Sequence, residues 1–172
     1  NGETVIAWLW ARTVKCPNPA CGAQMPLVRS FDLSTKKGNE CHIEPEFDGG
    51  QVRFRVRRGP SGQERGTVAR SSAICCACGT PVPFAYLREE GMADRIGAQL
   101  IATVCDGSEG RSFCDGTEDQ EKAARLPEGA VTWRPDCELP RKHRNFQTPA
   151  YGMPNIGDLF TDRQLVALTA FS

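Results

Sequence analysis

The chain has 172 residues, of which 40% are hydrophobic and 24% are charged, a composition typical of soluble globular proteins. Its 21 basic residues balance its 21 acidic residues, so the overall field favours neither a nucleic acid nor a membrane surface as a partner. The longest apolar run, residues 5–11, is far shorter than the roughly 20 residues of a membrane-spanning helix, and no signal peptide is recognisable.

The chain contains nine cysteines, four of which are paired in short motifs. This pattern favours a reducing compartment with metal binding over a secreted disulfide framework. We therefore expect a cytoplasmic protein without a membrane partner. Because the sequence begins in a strand-like segment and ends in a helix-like one, we also expect it to be a piece of a longer protein.

The first half of the chain is predicted to be mostly β-structure. Residues 4–14 are rich in Val, Ile and Trp and predict a strand, and residues 25–33 predict a second one. In residues 52–57 apolar and arginine side chains alternate, which predicts a strand with one buried face and one cationic face. The buried face should hold Val52, Phe54 and Val56, and the outer face Arg53, Arg55 and Arg57. Residues 66–74 are expected to form a returning strand.

The second half is predicted to be more irregular. We expect a short helix in residues 87–95, broken at Gly91, a strand in residues 98–104 and a loop in residues 106–116. Residues 117–120 match a capping box, which predicts a helix running to about residue 126. Residues 127–154 are rich in proline and charged residues and are expected to form a linker or an extended segment.

The last helix has the strongest start signal. Thr161 can cap it with Gln164 reaching back, and Phe160 and Leu165 occupy the two positions of a hydrophobic staple. The expected fold is α+β, with a zinc-ribbon-like module carrying an inserted antiparallel β-hairpin or sheet in residues 1–105. Residues 106–172 are expected to form an irregular proline-rich segment with short helices.

Two cysteine motifs carry the clearest chemistry, Cys16-x4-Cys21-Gly and Cys75-x2-Cys78-Gly. Each is a knuckle, a tight turn that directs two thiolates at one ion, and the following glycine tolerates the left-handed backbone that closes the turn. Together they supply four thiolates, which predicts a structural Zn²⁺ with no open coordination position.

The cysteines have alternative interpretations. They could be ordinary reduced thiols, or Cys75 and Cys78 could be a redox pair, which would leave the first knuckle unexplained. A second metal site built from Cys41-His42 with Cys137 and His143 lacks knuckle spacing, so buried thiols and surface histidines are favoured. The remaining three cysteines are expected to be unligated, and they are Cys76, Cys105 and Cys114.

Two groups of basic residues are candidates for contact with the phosphates of DNA. They are Arg53, Arg55, Arg57 and Arg58 in the first group, and Arg141, Lys142 and Arg144 in the second. The alternative is a solvated surface in which these side chains pair with nearby carboxylates. No catalytic constellation accompanies them, since the chain has only two histidines and no glycine-rich phosphate loop between a strand and a helix.

Three stretches carry a family resemblance: residues 8–23, which include the first knuckle, the knuckle at Cys75 and Cys78, and residues 151–165. They resemble the large bacterial and archaeal adenine-specific DNA methylases that contain a zinc ribbon. The resemblance spans nearly the whole chain and implies that its knuckle cysteines are the family's zinc ligands.

The resemblance further implies a longer parent enzyme, an S-adenosylmethionine-dependent N6-adenine DNA methyltransferase, with DNA and the rest of that enzyme as partners. The family's catalytic Asn/Asp-Pro-Pro-Tyr loop has no counterpart, because residues 148–151 read Thr-Pro-Ala-Tyr and offer no amide or carboxylate to the target amino group. This segment is therefore expected to be non-catalytic. The competing functions are a structural or protein-docking insert without DNA contact and an independent thiol-redox enzyme.

Overall fold

The computed structural model describes residues 4–48, 51–62, 65–107, 110–141 and 143–171. Within these ranges the chain forms nine β-strands and three α-helices, in agreement with the predicted α+β class. The strands are β1 (Thr4–Lys15), β2 (Gln24–Pro26), β3 (Asp32–Ser34), β4 (Cys41–Asp48), β5 (Gln51–Arg58), β6 (Ser72–Ile74), β7 (Pro81–Pro83), β8 (Gly97–Gly107) and β9 (Gly110–Cys114). The helices are α1 (Phe84–Met92), α2 (Glu118–Ala123) and α3 (Asp162–Ala170).

Residue contacts divide the chain into two compact units. Unit 1 comprises Asn1–Phe84 and Ile96–Glu118, and unit 2 comprises Ala85–Arg95 and Asp119–Ser172. All of the β-sheets lie in unit 1. Residue 105, where the sequence analysis ended the first module, lies inside β8. No helix in the described part of the chain has the length and apolarity needed to cross a membrane.

The largest sheet of unit 1 is antiparallel, in the order β2-β1-β8-β9. β1 and β8 pair from Thr4 opposite Asp106 to Thr13 opposite Gly97, and the side chains on one face of this pair contact the core. The prediction of a loop in residues 106–116 was wrong, because β9 returns along β8 with Cys105 opposite Ser112. Glycines at the hairpin end and a short, mostly polar strand concealed this pairing in the sequence.

A second antiparallel sheet, in the order β3-β4-β5, lies between the two cysteine knuckles in the sequence. The alternation predicted for β5 is confirmed, since Val52 and Phe54 are buried, Val56 is half-buried, and the arginines between them are exposed. The buried residues join a hydrophobic core that draws on the four-stranded and the three-stranded sheets, consisting of Ala23, Phe31, Ile43, Val52, Phe54 and Ala102.

Two other strand predictions were wrong in unit 1. Residues 25–33 form parts of two short strands in different sheets, and residues 66–74 contribute only β6, which pairs with β7 and not with β5. The segment before β6 lies instead against residues 28–29, where Gly66 N donates to Arg29 O at 2.9 Å. A Cβ at Gly66 would lie 2.3 Å from Val28 O, so the close approach requires glycine.

All three predicted helices are present, and α1 begins and ends three residues earlier than the predicted residues 87–95. α1 continues through Gly91, where a break was predicted; a Cβ there would lie 2.4 Å from Tyr151 O, so glycine permits close packing inside the helix. α2 ends three residues earlier than predicted. The capping box of α3 is confirmed, with Gln164 N donating to Thr161 Oγ1 at 3.3 Å and Thr161 N donating to Gln164 Oε1 at 2.8 Å.

Candidate metal centre

The first knuckle is the turn between β1 and β2. The last pair of these strands is Lys15 with Gln24, and Cys16 N then donates to Ala23 O at 2.8 Å. The turn closes with Gly22, whose φ of +59° lies in the left-handed region that glycine tolerates. This hairpin end fixes the backbone of both cysteines of the first knuckle.

The second knuckle is built in the same way at the turn between β6 and β7. After the pair Ile74–Pro81, Cys75 N donates to Thr80 O at 2.9 Å, and Gly79 N donates to Cys75 O at 2.8 Å. Gly79 has a φ of +73°. The glycine after each knuckle therefore has the left-handed backbone that was predicted for it.

The two knuckles bring four sulfur atoms together, and they could hold a metal ion. The Sγ atoms of Cys16 and Cys78 are 3.7 Å apart, those of Cys21 and Cys75 are 3.9 Å apart, and all four lie within 4.8 Å of one another. A tetrahedral Zn–S₄ centre with bonds of about 2.3 Å has sulfurs about 3.8 Å apart. The separations suit coordination of an ion and are far longer than the about 2.05 Å of a disulfide.

Burial and hydrogen bonding shift the pKa values of these thiols in opposite directions. Burial, together with the neighbouring thiols, raises the pKa of Cys16 to about 12, and burial also raises the pKa of Cys75. The hydroxyl of Thr80, whose Oγ1 lies 3.1 Å from Cys78 Sγ, lowers the pKa of the exposed Cys78 thiol to about 6. A bound divalent cation would favour the thiolate form of all four ligands.

Asn18 and Thr80 support the cluster, and neither residue was predicted from the sequence to do so. Asn18 Nδ2 lies 3.3 Å from Thr80 Oγ1 and 3.9 Å from Cys78 Sγ, so the first knuckle reaches across to the second. Asn18 Oδ1 accepts from Ala20 N at 3.0 Å, which holds the side chain in place. The sequence did contain a signal for Asn18, because the first knuckle is longer than the second and Asn18 lies in it between two prolines.

The arginines of β5 face carboxylates. Arg55 lies 3.0 Å from Asp115 and 3.4 Å from Glu46, and Arg57 lies 2.7 Å from Glu44. These pairs raise the pKa values of both guanidinium groups above their ordinary value. The alternative interpretation, a solvated surface of paired charges, thus describes these two arginines.

The other candidate DNA contacts are paired loosely or lie elsewhere. Arg53 is 4.0 Å from Asp48, and the exposed Arg58 lies opposite Cys41 in the pairing of β4 with β5. Arg141 and Arg144 are exposed side chains of unit 2, and Arg141 is 3.9 Å from Glu138. Lys142 lies outside the described residues.

The histidines belong to no second metal cluster in the described ranges, where the only group of three or more metal-ligating side chains is the four-cysteine cluster. His42 Nδ1 lies 3.1 Å from Gly59 O. The neighbouring Cys41 is buried, and this burial raises the pKa of its thiol. His143 packs against Phe146 with ring centres 5.4 Å apart. The buried Cys41 and the exposed His143 agree with the simpler interpretation of buried thiols and surface histidines, whereas Cys137 is exposed and His42 is half-buried.

No protein-family model, curated protein or solved structure gives a significant match to this chain.

Proposed function

We propose that the four-cysteine cluster binds one structural Zn²⁺ ion. The observation that carries this proposal is the convergence of four thiols, from two separate hairpin turns, at the separations of a Zn–S₄ tetrahedron. Thiolate sulfur is a preferred zinc donor, and four such donors leave no position for a substrate or a reactive water. The ion would supply a cross-link and no catalytic step, as in a zinc ribbon.

The cross-link would join segments that are distant in sequence. Cys16 and Cys78 are 62 residues apart, and the antiparallel sheet β3-β4-β5 lies between the knuckles. Structural zinc contributes on the order of 10 kcal/mol to the folding of small metal modules. The ion would therefore stabilise the base of the inserted sheet.

We further propose that the chain is a non-catalytic segment of an N6-adenine DNA methyltransferase. This part rests on the resemblance of residues 8–23, the second knuckle and residues 151–165 to the zinc-ribbon adenine methylases. In this proposal S-adenosylmethionine binds elsewhere in the parent enzyme, and the zinc-binding segment helps to position DNA.

A second candidate function is a structural or docking insert that never touches DNA. The ion pairs of β5 favour it, because Arg55 and Arg57 are already bound to carboxylates and would have to exchange those partners for phosphates. Arg53 has only the 4.0 Å ion pair with Asp48, and within the described ranges Arg58 and Arg144 have no ion pair, so these three arginines would be the first DNA contacts to test.

Metal analysis of matched variants tests the zinc proposal. Under reducing conditions the wild-type chain should hold one zinc per molecule, Cys75→Ser should lose it, and Cys76→Ser should retain it. The two positions are adjacent in one turn, but Cys76 is outside the cluster. Equal zinc loss in both variants would show that the ligand set is wrong.

Anisotropy measurements with a labelled DNA duplex over a salt series separate the two candidate functions. Binding that weakens steeply with salt, and weakens further in Arg58→Gln, favours DNA positioning. A lack of binding at low salt favours the structural insert. Titration with S-adenosylmethionine should show no binding to this chain, and micromolar affinity would contradict its non-catalytic role.

A further inference from the structure

Two cysteines outside the metal cluster meet across the β8–β9 hairpin of unit 1. Cys105 lies opposite Ser112 and Cys114 lies opposite Thr103, so the two cysteines are diagonal neighbours on adjacent strands. Their side chains lie on the same face of the sheet, with the two Sγ atoms 3.3 Å apart. Both cysteines were predicted to be unligated and to flank a loop, and their proximity depends on the strand β9, which was not predicted.

The chemistry of this pair differs from that of the metal cluster. No third metal-ligating side chain joins the pair in the described ranges, so it offers two sulfur donors only. Cys105 is buried at 4% exposure and Cys114 is half-buried, so Cys114 is the more accessible of the two residues. An accessible thiol with a second thiol behind it is the arrangement of an attacking and a resolving cysteine.

We propose that Cys105 and Cys114 form a site of reversible thiol–disulfide exchange, whose co-reactant is a low-molecular-weight disulfide. The thiolate of Cys114 attacks one sulfur of that disulfide, expels the other half as a thiolate and becomes a mixed disulfide. Cys105 loses its proton to solvent and attacks Cys114 Sγ, which expels the second half. Two protein thiols are oxidised to one disulfide, and one small disulfide is reduced to two thiols. The proposal is independent of the proposed zinc function.

The required movement is small. A disulfide brings its sulfurs to about 2.05 Å, so the two Sγ atoms approach by little more than 1 Å from their present 3.3 Å. The closed ring contains only the hairpin between the two cysteines, and its backbone is already paired by β8 and β9. The disulfide would therefore close a short ring within a single hairpin.

The Cys105–Cys114 pair also lies beside a contact between the four-stranded and the three-stranded sheet. Cys114 is followed by Asp115, whose carboxylate accepts from Val56 N in β5. A disulfide at Cys114 would fix the end of β9 that carries this carboxylate. The oxidised hairpin is accordingly a more rigid support for the edge of β5.

Peptide mapping of the zinc-loaded chain after treatment with oxidised glutathione tests the proposal. In the Cys137→Ser variant, which lacks the exposed cysteine, the thiol count should fall by two, the mass should fall by that of two hydrogen atoms, and the zinc should remain bound. Trypsin cuts after Arg95, Arg111 and Lys122, so Cys105 and Cys114 fall on different peptides. These peptides should migrate as one linked species that a reductant separates.

Variants identify the resolving cysteine. Cys105→Ala should stop at a glutathione adduct on Cys114, whereas the control Cys137→Ser, at an exposed cysteine, should form the linked peptides as the wild type does. Zinc content and circular dichroism like those of the wild type establish that each variant is folded. A persistent adduct on wild-type Cys114, or linked peptides from the knuckle cysteines with release of zinc, would overturn the proposal.

Discussion

The carboxylate of Asp115 accepts a hydrogen bond from the backbone N–H of Val56 at 2.6 Å. Val56 belongs to β5, an edge strand of the three-stranded sheet, and Asp115 follows β9 of the other sheet. Gln99 of β8 makes a second contact of this kind, donating from Nε2 to Val52 O at 2.8 Å. The side chains of Asp115 and Gln99 thus bond to backbone groups on the outer edge of β5. Without such contacts, the edge strand could pair with another chain.

Replacement of Asp115 by alanine should destabilise unit 1. The substitution leaves the Val56 N–H without its acceptor and removes an ion-pair partner of Arg55, and each lost hydrogen bond of this type costs about 1–3 kcal/mol. Denaturant unfolding followed by circular dichroism measures the change. Asp119→Ala is the matched control, since the Asp119 side chain is 97% exposed and 4.0 Å from its partner Lys122. Equal stability of the two variants would show that the edge contact contributes nothing.

Phe54→Ala should cost roughly 3–5 kcal/mol, because Phe54 is buried at 8% exposure in the core shared by the four-stranded and three-stranded sheets. Arg53→Ala, on the opposite face of the same strand, should change the free energy of unfolding by about 0.5 kcal/mol or less. Thermal unfolding of the zinc-loaded variants makes the comparison. A thermal midpoint of Phe54→Ala equal to that of Arg53→Ala would contradict the burial of this face.

Thr80→Val should weaken zinc binding by about tenfold or more, as is usual when a side chain that hydrogen-bonds a metal ligand is lost. Valine keeps the shape of the side chain but removes the hydroxyl 3.1 Å from Cys78 Sγ. Thr80→Ser retains the hydroxyl and should bind zinc with nearly the wild-type affinity. Competition with a chromophoric chelator measures all three affinities, and an unchanged value for Thr80→Val would exclude this supporting role.

The pair Glu90–Arg95 should make the stability of unit 2 depend on pH. Arg95 Nη2 lies 2.7 Å from the largely buried carboxylate of Glu90, and these hydrogen bonds hold the pKa of Glu90 below its ordinary value of 4.5. A depressed carboxyl pKa stabilises the folded state above pH 4.5, and the contribution is lost as the pH falls through the folded-state pKa.

Arg95→Gln should therefore lower the free energy of unfolding at neutral pH, and by progressively less as the pH falls through the pKa of Glu90. Urea unfolding at a series of pH values tests this expectation. Arg125→Gln, an exposed residue of the same unit, is the control and should show no such dependence. A deficit for Arg95→Gln that stays constant down to pH 3 would mean that the ion pair is not its cause.

Gly152→Ala should destabilise unit 2 by more than about 2 kcal/mol, whereas Gly129→Ala should cost only about 1 kcal/mol. Both glycines have positive φ values, +83° and +78°. A Cβ at Gly152 would lie 2.0 Å from Gly91 O, whereas nothing lies within 4 Å of a Cβ at Gly129. Chemical denaturation of both variants separates the cost of crowding from that of backbone strain, and equal losses would contradict the close packing on α1.

Features with a local cause were predictable from the sequence. The knuckles depend on cysteine spacing and one glycine each, the face of β5 on a two-residue alternation, and the start of α3 on residues within one helical turn. In each case the residues that decide the structure are close neighbours in sequence.

Features that depend on distant partners were missed. The segment around Gly66 has strand-like composition but packs on residues 28–29, and Gly91 looks like a helix breaker until Tyr151 is placed against it. The contact of Cys105 with Cys114 could not be foreseen once β9 was taken for a loop. Composition and periodicity contain no information about these partners.

The separation of the two knuckles along the chain has a consequence for the order of folding. Within each knuckle the cysteines are close in sequence and one turn orders them, whereas the pair Cys21–Cys75 spans 54 residues. Each half of the cluster can form rapidly from local contacts, and joining the halves requires closure of a long loop, a slower event. An ion that binds first to one knuckle would be fully coordinated only after the inserted sheet folds and the second knuckle reaches it. Refolding in the presence of zinc should therefore show a late, metal-dependent phase.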